Sequence, residues 1–527
     1  MNTKLLKQKI LDLAIRGKLS QQLESDGTAA DLLTQISDER RKTRDERKGT
    51  RSKKSGVILS EAQSAKSKDL GQIIPLDKSE APFEVPANWE WVRLPDVCSI
   101  PITDGTHQTP TYSNKEDGIP FLSAKDVTTQ KIVWDKIKYI TKSLHEELCL
   151  RIAPKRNDIL LAKNGTTGVA ALVETDVVFD IYVTLAVLRP RKIVNPRFLL
   201  YFVNGPVAKA QFDASLKGVG VPNLHLSEIN KVVLPLPPLA EQQRIVATIE
   251  EAFAEIDSIE KNKELLKTHI KQTRQKILDL AIHGKLVPQN KSDEPASVLL
   301  ERITRDNPHY EKMGLDERRE TKDERDSNYK RHSREGGNLL ASISKDEIPF
   351  DIPKNWEWCR LGDIAEINPK NKLDDDLEVS FIPMNLIEAG YSNRHGQESR
   401  SWKDVKKGFT HFAENDVALA KISPCFENRK SAIMKDLKNG YGAGTTELFI
   451  FRPLGVMEAN YLLWIVKSDN FIQAGTGNFS GVVGQQRLSR EVVENYPIPL
   501  PPLNEQSRIV AKIEELFTEL DLILQNI

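Results

Sequence analysis

Cysteine is scarce in this chain: Cys98, Cys149, Cys359 and Cys425 are the four in 527 residues, far apart, with no CxxC pair and no histidine cluster at zinc spacing. That composition excludes a disulfide framework and a zinc module and leaves reduced packing residues. Long hydrophobic runs are missing too. Nothing approaches the roughly 18 apolar residues that span a bilayer, and MNTKLLKQKILDLAIRGKL has no signal-peptide run, so a soluble, cytoplasmic chain without a membrane partner is expected. Net charge is zero, with 75 basic and 75 acidic residues, so composition does not announce a polyanion partner. Enzymatic signatures are also wanting. There is no GxxxxGK[ST] phosphate loop, no Asn/Asp-Pro-Pro-Tyr or Phe-x-Gly-x-Gly pair, no HExxH and no GxSxG. The expectation is a chain with no catalytic residues, no metal and no cofactor of its own.

What the chain does have is itself, twice. Gln8–Leu19 (QKILDLAIRGKL) recurs at Gln275–Leu286 with 11 of 12 positions identical, and PFEVPANWEW at Pro82–Trp91 returns as PFDIPKNWEW at Pro349–Trp358, both at an offset of 267. PLPPLAEQQRIVATIEE at Pro235–Glu251 returns at Pro499–Glu515 with 14 of 17 positions identical and an offset of 264. The stretches between these frames diverge. Residues 93–233 hold 18 basic and 14 acidic side chains, whereas residues 360–496 hold 17 and 18, so the two contents differ in charge as well as in sequence.

After each PLPPL element a helix is expected, with proline at its start, Glu-Gln in its first turn and no breaker following. Ile249, Ala252, Ile256, Ile259, Lys263, Leu266, Ile270, Thr273, Ile277 and Leu280 alternate steps of three and four, a heptad seam ending before Gly284. Roughly 43 residues at 1.5 Å each would make a rod of about 65 Å. Ile509, Ile513, Leu516, Leu520 and Ile523 repeat the first half of that seam, and Leu6, Ile10 and Leu13 repeat the second. Ile527 corresponds to Lys263 and Met1 to Thr268, so the expectation is a circularly permuted, pseudo-two-fold molecule whose end helices continue one another beside the central helix. A duplication with independent halves is the alternative.

The expected fold is α+β: two mixed α/β domains separated by a pair of long antiparallel coiled-coil helices. Its segments are an N-terminal helical region at 1–47, a linker at 48–81, a first domain at 82–238, a central region with the long helix at 239–325, a linker at 326–348, a second domain at 349–502 and a C-terminal helix at 503–527. DERRKTRDER (38–47) and DERRETKDER (316–325) read as solvated helix surface, and the Ser-, Lys- and Gly-rich stretches after them as mobile linkers.

The twin PLPPLxEQxRIV, NWEWxRLxD and QKILDLAIxGKL elements resemble the specificity subunit of type I restriction-modification enzymes. DILLAKNGTTG (158–168), AENDVALAKISPCFENRKSA (413–432), GVPNLHLSEINKVVLPLPP (220–238) and GQQRLSREVVENYPIPLPP (484–502) are similar to pieces of that family's target-recognition domains. The resemblance implies a non-catalytic, host-defence DNA-recognition chain. Each domain would read one half of a bipartite, asymmetric site, while the helices set the spacer and dock two methyltransferase subunits that bind S-adenosylmethionine. Motor-nuclease subunits that use ATP would join the complex. The other readings are a two-headed coiled-coil scaffold for proteins and a self-contained restriction or modification enzyme.

Candidate contacts with double-stranded DNA follow from chemistry. Lys163, Asn164, Thr166 and Thr167 sit in a glycine-containing loop where short polar groups can approach phosphate or base edges, although the loop reads equally as a tight turn between strands. Asn223 and His225 are expected to correspond to Gln485 and Arg487, and Asn or Gln suits adenine where Arg suits guanine. Thr106, His107 and Gln108, and Lys421, Ser423, Asn428 and Arg429, complete the set. The apolar residues of LDLAIxGKL read as helix packing, and the partner docking that the resemblance implies near them would use Arg16, Lys18, His283 and Lys285.

Overall fold

The computed structural model describes residues 2–38, 76–215, 223–306, 343–482 and 485–527. Most of the two expected linkers and of the charge runs lies outside the described residues. The chain divides into two compact units, 1–262 and 263–527, and the division falls inside one continuous helix, Leu239–Ile282.

Each unit repeats one plan. In the first, Glu90–Arg93 pairs antiparallel with Val233–Leu236, so the NWEW and PLPPL elements are hydrogen-bonded neighbours. Between them lie a four-stranded antiparallel sheet, ordered Thr103–Asp104, Leu185–Leu188, Ile159–Ala162, Ala170–Leu172, and a mixed sheet, ordered Tyr112–Ser113, Lys138–Ile140, Ile119–Leu122, Asp180–Ile181. In the second unit Glu357–Arg360 pairs with Pro497–Leu500. Its sheets run Ala365–Ile367, Leu448–Pro453, Val417–Ala420, Ser431–Ile433 and Glu398–Ser401, Glu378–Ile382, Tyr441–Gly444, Thr410–Ala413, again with one parallel pair in the mixed sheet. Ile159–Ala162 and Val417–Ala420 are buried at every position, which is why these runs are apolar throughout rather than alternating.

Apolar spacing carries a helical pattern through 196–216 and 458–472, yet each stretch is two helices. Pro196–Val203 begins on Asn195, whose side chain accepts from the Arg197 and Phe198 amides, and a second helix, Pro206–Ser215, follows Gly205. Ala459–Val466 and Asp469–Gly477 are likewise separate, the second capped by Ser468. They cover one face of the antiparallel sheet and complete the main core with the frame helices.

The end helices pack on the long helix within their own units. Thr3–Ile15 lies against its first half, with Thr3 bonded to Glu260, Lys7 paired with Asp257, and Lys7 5.5 Å from the Phe253 ring centre. Leu503–Gln525 lies against its second half, where Arg274 pairs with Asp521 at 2.5 Å and Lys263 donates to the Ile527 carbonyl. The expected five-heptad seam is interrupted. Ile249, Ile256, Ile270 and Ile277 are buried, but Ile259 and Leu266 in mid-helix are 41% and 39% exposed.

The repeated motifs converge in space. Gly17 and Gly284 end their helices with φ of +68° and +65°, and their missing side chains admit a proline: a Cβ at either would lie 2.4 Å from Cγ of Pro86 or Pro353. Just beyond each glycine, the Glu of the EQ pair is fully buried. Glu241 accepts from Trp89 Nε1 (2.8 Å), Gln22 Nε2 (2.6 Å) and Ser20 Oγ (2.9 Å). Glu505 accepts from Gln289 Nε2 (2.5 Å), but Val287 stands where Ser20 does, and Glu505 Oε2 and Trp356 Nε1 complete no hydrogen bond. The neighbouring glutamine carries the frame into the domain: Gln242 accepts from the Asn195 amide and Gln506 from the Glu458 amide, at 2.9 and 2.8 Å. Arg244 pairs with Asp26 and Arg508 with Asp293. LDLAIxGKL, NWEW and PLPPLxEQxR are therefore parts of one clasp, made once in each unit.

Of the expected docking residues, Lys18 and Lys285 are exposed. Arg16 instead pairs with Asp12 and lies 4.2 Å over the Phe83 ring, and His283 stacks on Phe350 at 3.8 Å, so both cover aromatic frame residues.

Candidate functional site

In both units the loop after the central strand and the segment before the last strand, far apart in sequence, are hydrogen-bonded together. In the first unit Asn164 and Asn223 form an antiparallel bridge, the Leu224 amide donates to the Lys163 carbonyl (2.8 Å), and the Lys163 amide donates to Thr184 (2.8 Å). In the second, Ile422 bridges to Arg487, the Leu488 amide donates to Lys421 (2.9 Å), and the Lys421 amide donates to Glu447 (2.9 Å).

This ladder corrects the expected correspondence by two residues. Asn223 occupies the place of Arg487, not of Gln485. His225 occupies that of Ser489, since each is the N-cap of the short helix that follows, Leu226–Ile229 or Arg490–Glu494. Backbone register decides the matter, because Leu224 and Leu488 make the same bond to equivalent lysines.

Within the first unit, the candidates separate into those in contact with solvent and those spent on the fold. Asn164 and Thr167 are half-buried, while Thr166, Asn223, His225 and His107 are exposed around a turn in which Gly165 has φ +73°. Lys163 is only 6% exposed, and its ammonium sits 2.5 Å from Asp104. Thr106 is also buried: its amide and carbonyl bond to Ile181 and Val183, and its hydroxyl accepts from the Gln108 amide. Both were expected to touch a ligand; both hold the loop together instead. Asp104 is a hub that residue type alone did not mark. Besides Lys163 it binds Arg151 at 2.7 Å and His107 at 3.2 Å; burial opposes its charge, but the bonds from Lys163 and His107 outweigh it and hold the carboxyl below its usual range.

In the second unit Lys421 and Ser423 are half-buried and Gln485, Arg487 and Asn428 exposed. Ser423 donates to Glu427 at 2.8 Å. The Arg487 guanidinium meets Glu447 through Nε (2.9 Å) and Nη2 (2.9 Å), and Nη1 donates to the Gln485 carbonyl at 3.3 Å. That bond from Arg487 holds the Glu447 carboxyl below its usual range. Arg429 departs from expectation. With φ at +53° it turns away from this cluster, pairs with Asp469, donates to the Lys467 carbonyl (3.0 Å) and lies over the Tyr391 ring. Beside it Lys467 is fully buried, donates to the Gly390 and Arg429 carbonyls and is pushed down to about 7 by burial.

Glu447 and Thr184, the partners that distinguish the two clusters, were not found from sequence. Glu447 and Arg487 are 40 residues apart, and no local spacing links them. Among the described residues no group of three His, Cys, Asp or Glu side chains is placed to hold a metal, and no helix is long and apolar enough to cross a membrane. Cys98 is buried, its thiol pushed up to about 12, and Cys359 is buried with its thiol also raised, as packing residues are.

A family model for the type I restriction modification DNA specificity domain matches residues 86–268 and 353–527. The EcoAI and EcoEI type I restriction enzyme specificity subunits of Escherichia coli are 46% and 44% identical over 259 residues. Those matches cover 49% of this chain and 41% of each relative, so the chain spans well under half the length of these two proteins. The EcoDI specificity subunit of Escherichia coli is 21% identical over 457 residues, 84% of either chain. Among solved structures, a chain from work on complex assembly and conformational transition of the type I R-M system shares the fold, with a TM-score of 0.51, 18% identity, and coverage of 84% of this chain and 94% of that one. With two matched segments that together span more than half its length, each ending in a clasped helix, the chain belongs to the type I restriction modification DNA specificity domain family.

Proposed function

We propose that this chain is the sequence-recognition subunit of a type I restriction-modification complex. It binds double-stranded DNA and leaves methyl transfer, ATP use and cleavage to modification and motor-nuclease subunits in the cytoplasm. The domains at 82–238 and 349–502 each read one half of a bipartite, asymmetric site, and the long helix sets the unread spacer. The observation that carries this reading is the paired ladder: one backbone arrangement, built twice, presents Asn223 in one unit and Arg487 in the other. A catalytic repeat would keep its chemical groups the same, whereas a reader of two different half-sites must vary them on a constant support.

His107, Asn164, Thr166, Thr167, Asn223 and His225 in the first unit, and Lys421, Ser423, Asn428, Gln485 and Arg487 in the second, form the proposed contact surface. Lys163, Thr106 and Arg429 support it from beneath or beside. Replacing residues 93–233 with the corresponding segment of a relative tests the reading in cells, with the methylated sites read genome-wide. One half of the methylated motif should change while the other half and the spacer persist. A change in both halves contradicts modular readout, and association with DNA that does not weaken as salt rises contradicts phosphate binding.

A further inference from the structure

We infer that Arg487 reads a guanine in the half-site assigned to the second unit, and that Glu447 is the positioning residue that aims it. The inference rests on the recognition reading above and adds a base and a mechanism to it.

The starting point is a pair that does little for the fold. Arg487 and Glu447 are 46% and 25% exposed, and an ion pair so open to water contributes little to stability. Yet both ends are fixed by main chain: Arg487 exchanges two hydrogen bonds with Ser480 (2.9 and 3.1 Å), and the Glu447 carbonyl receives the Lys421 amide. A flexible side chain is thus held in one orientation at an accessible edge.

Donor counting shows what remains. A guanidinium has five N–H groups. Glu447 takes the Nε hydrogen and the Nη2 hydrogen beside it, and the Gln485 carbonyl takes one on Nη1. Two are left over, one on each terminal nitrogen, and we take them as the pair at the end of the fork, with Gln485 holding the Nη1 hydrogen on the Cδ side. That parallel pair matches O6 and N7 of guanine in the major groove, the two adjacent acceptors an arginine engages bidentately. Cytosine and adenine present a donor there, and thymine a single acceptor beside a methyl group. In the first unit the equivalent place holds Asn223, and Thr184 stands where Glu447 does, so the fork and its carboxylate are both replaced by uncharged groups.

The test uses the tagged full chain, isolated with the subunits that co-purify, bound at fixed salt to duplex DNA carrying two randomised blocks at varied spacing. Wild type should select a two-part motif with a fixed guanine in one block. Arg487→Ala should relax that base by roughly five- to 150-fold and leave the other block's motif intact. Arg487→Lys should not restore it, because an ammonium has no planar fork, and Glu447→Gln should blur the same position less. Unchanged selection at every position in the Arg487 variants overturns the inference. So does loss of selection at every position of the guanine's block, or in both blocks, which is what a merely structural pair would give. If wild type selects no motif at all, the recognition reading itself falls, which is a different result from either.

Discussion

The two units contrast most where they are most alike. Their clasps share glycine, proline, tryptophan, glutamine and glutamate at the same places, yet the first surrounds its buried glutamate with donors from Trp89, Gln22 and Ser20, while the second supplies Gln289 and an apolar Val287. Their sheets hold the same buried pair: Asp158 with Arg189 and Asp416 with Arg452, both bidentate and both also accepting a backbone amide. One helix junction is tied by Asn204 to Ala170 and the other by Lys467 to two carbonyls. The lesson is that this architecture specifies where a polar anchor must sit and tolerates which group provides it, as long as buried donors and acceptors find partners.

The largest expected effect comes from removing the sheet carboxylates. Asp158→Ala leaves Arg189, 17% exposed, without its partner and should destabilise the first unit by about 3–5 kcal/mol. Asp416→Ala should cost less, because Arg452 is 31% exposed and can turn to water. Hydrogen exchange of strand amides measures each unit separately, and the reverse order would break the comparison. Next, Gly17→Ala and Gly284→Ala force a left-handed backbone on a residue with a Cβ and drive it into a proline ring. Each should cost about 2 kcal/mol, equally in the two units, by chemical denaturation of the single variants. A difference of more than half that amount would mean the clasps are not equivalent.

The smallest effect is a pH dependence at the second unit's buried glutamate. Burial raises the Glu505 carboxyl above its ordinary 4.5, opposed by the bond from Gln289 and the charge of Arg508. Folded protein therefore holds this proton more tightly than unfolded. Glu505 contributes increasing stability as pH falls from neutrality through the raised folded-state pKa toward 4.5, and that contribution is lost as pH rises through it. Relative to Glu505→Gln, wild type should gain protection in the second unit on acidification. A gain on alkalinisation would show that its donors outweigh burial and hold the carboxyl below 4.5.

Much of this was legible because repetition is a strong signal. The long helix and its glycine stop follow from periodicity, and Leu239–Ile282 is where that pattern placed it. The breaks at Gly205 and Lys467 were missed because apolar spacing runs on through both. Exposure of Ile259 and Leu266 was missed for a related reason: a heptad states which residues could be covered, not how much partner lies opposite. At the candidate site, residue types suited to nucleic acid were visible, but burial was not, so Lys163, Thr106 and Arg429 looked like free contacts.

By itself the amino-acid order determined that this is a duplicated frame with unlike contents, since identity at constant offset needs no folding to be seen. Only tertiary structure decided that the three repeated motifs form one clasp, that Asn223 and not His225 stands where Arg487 does, and that Glu447 pairs with that arginine. Those facts depend on hydrogen-bond register between segments tens of residues apart, and register is set by how strands pair, which local sequence does not encode.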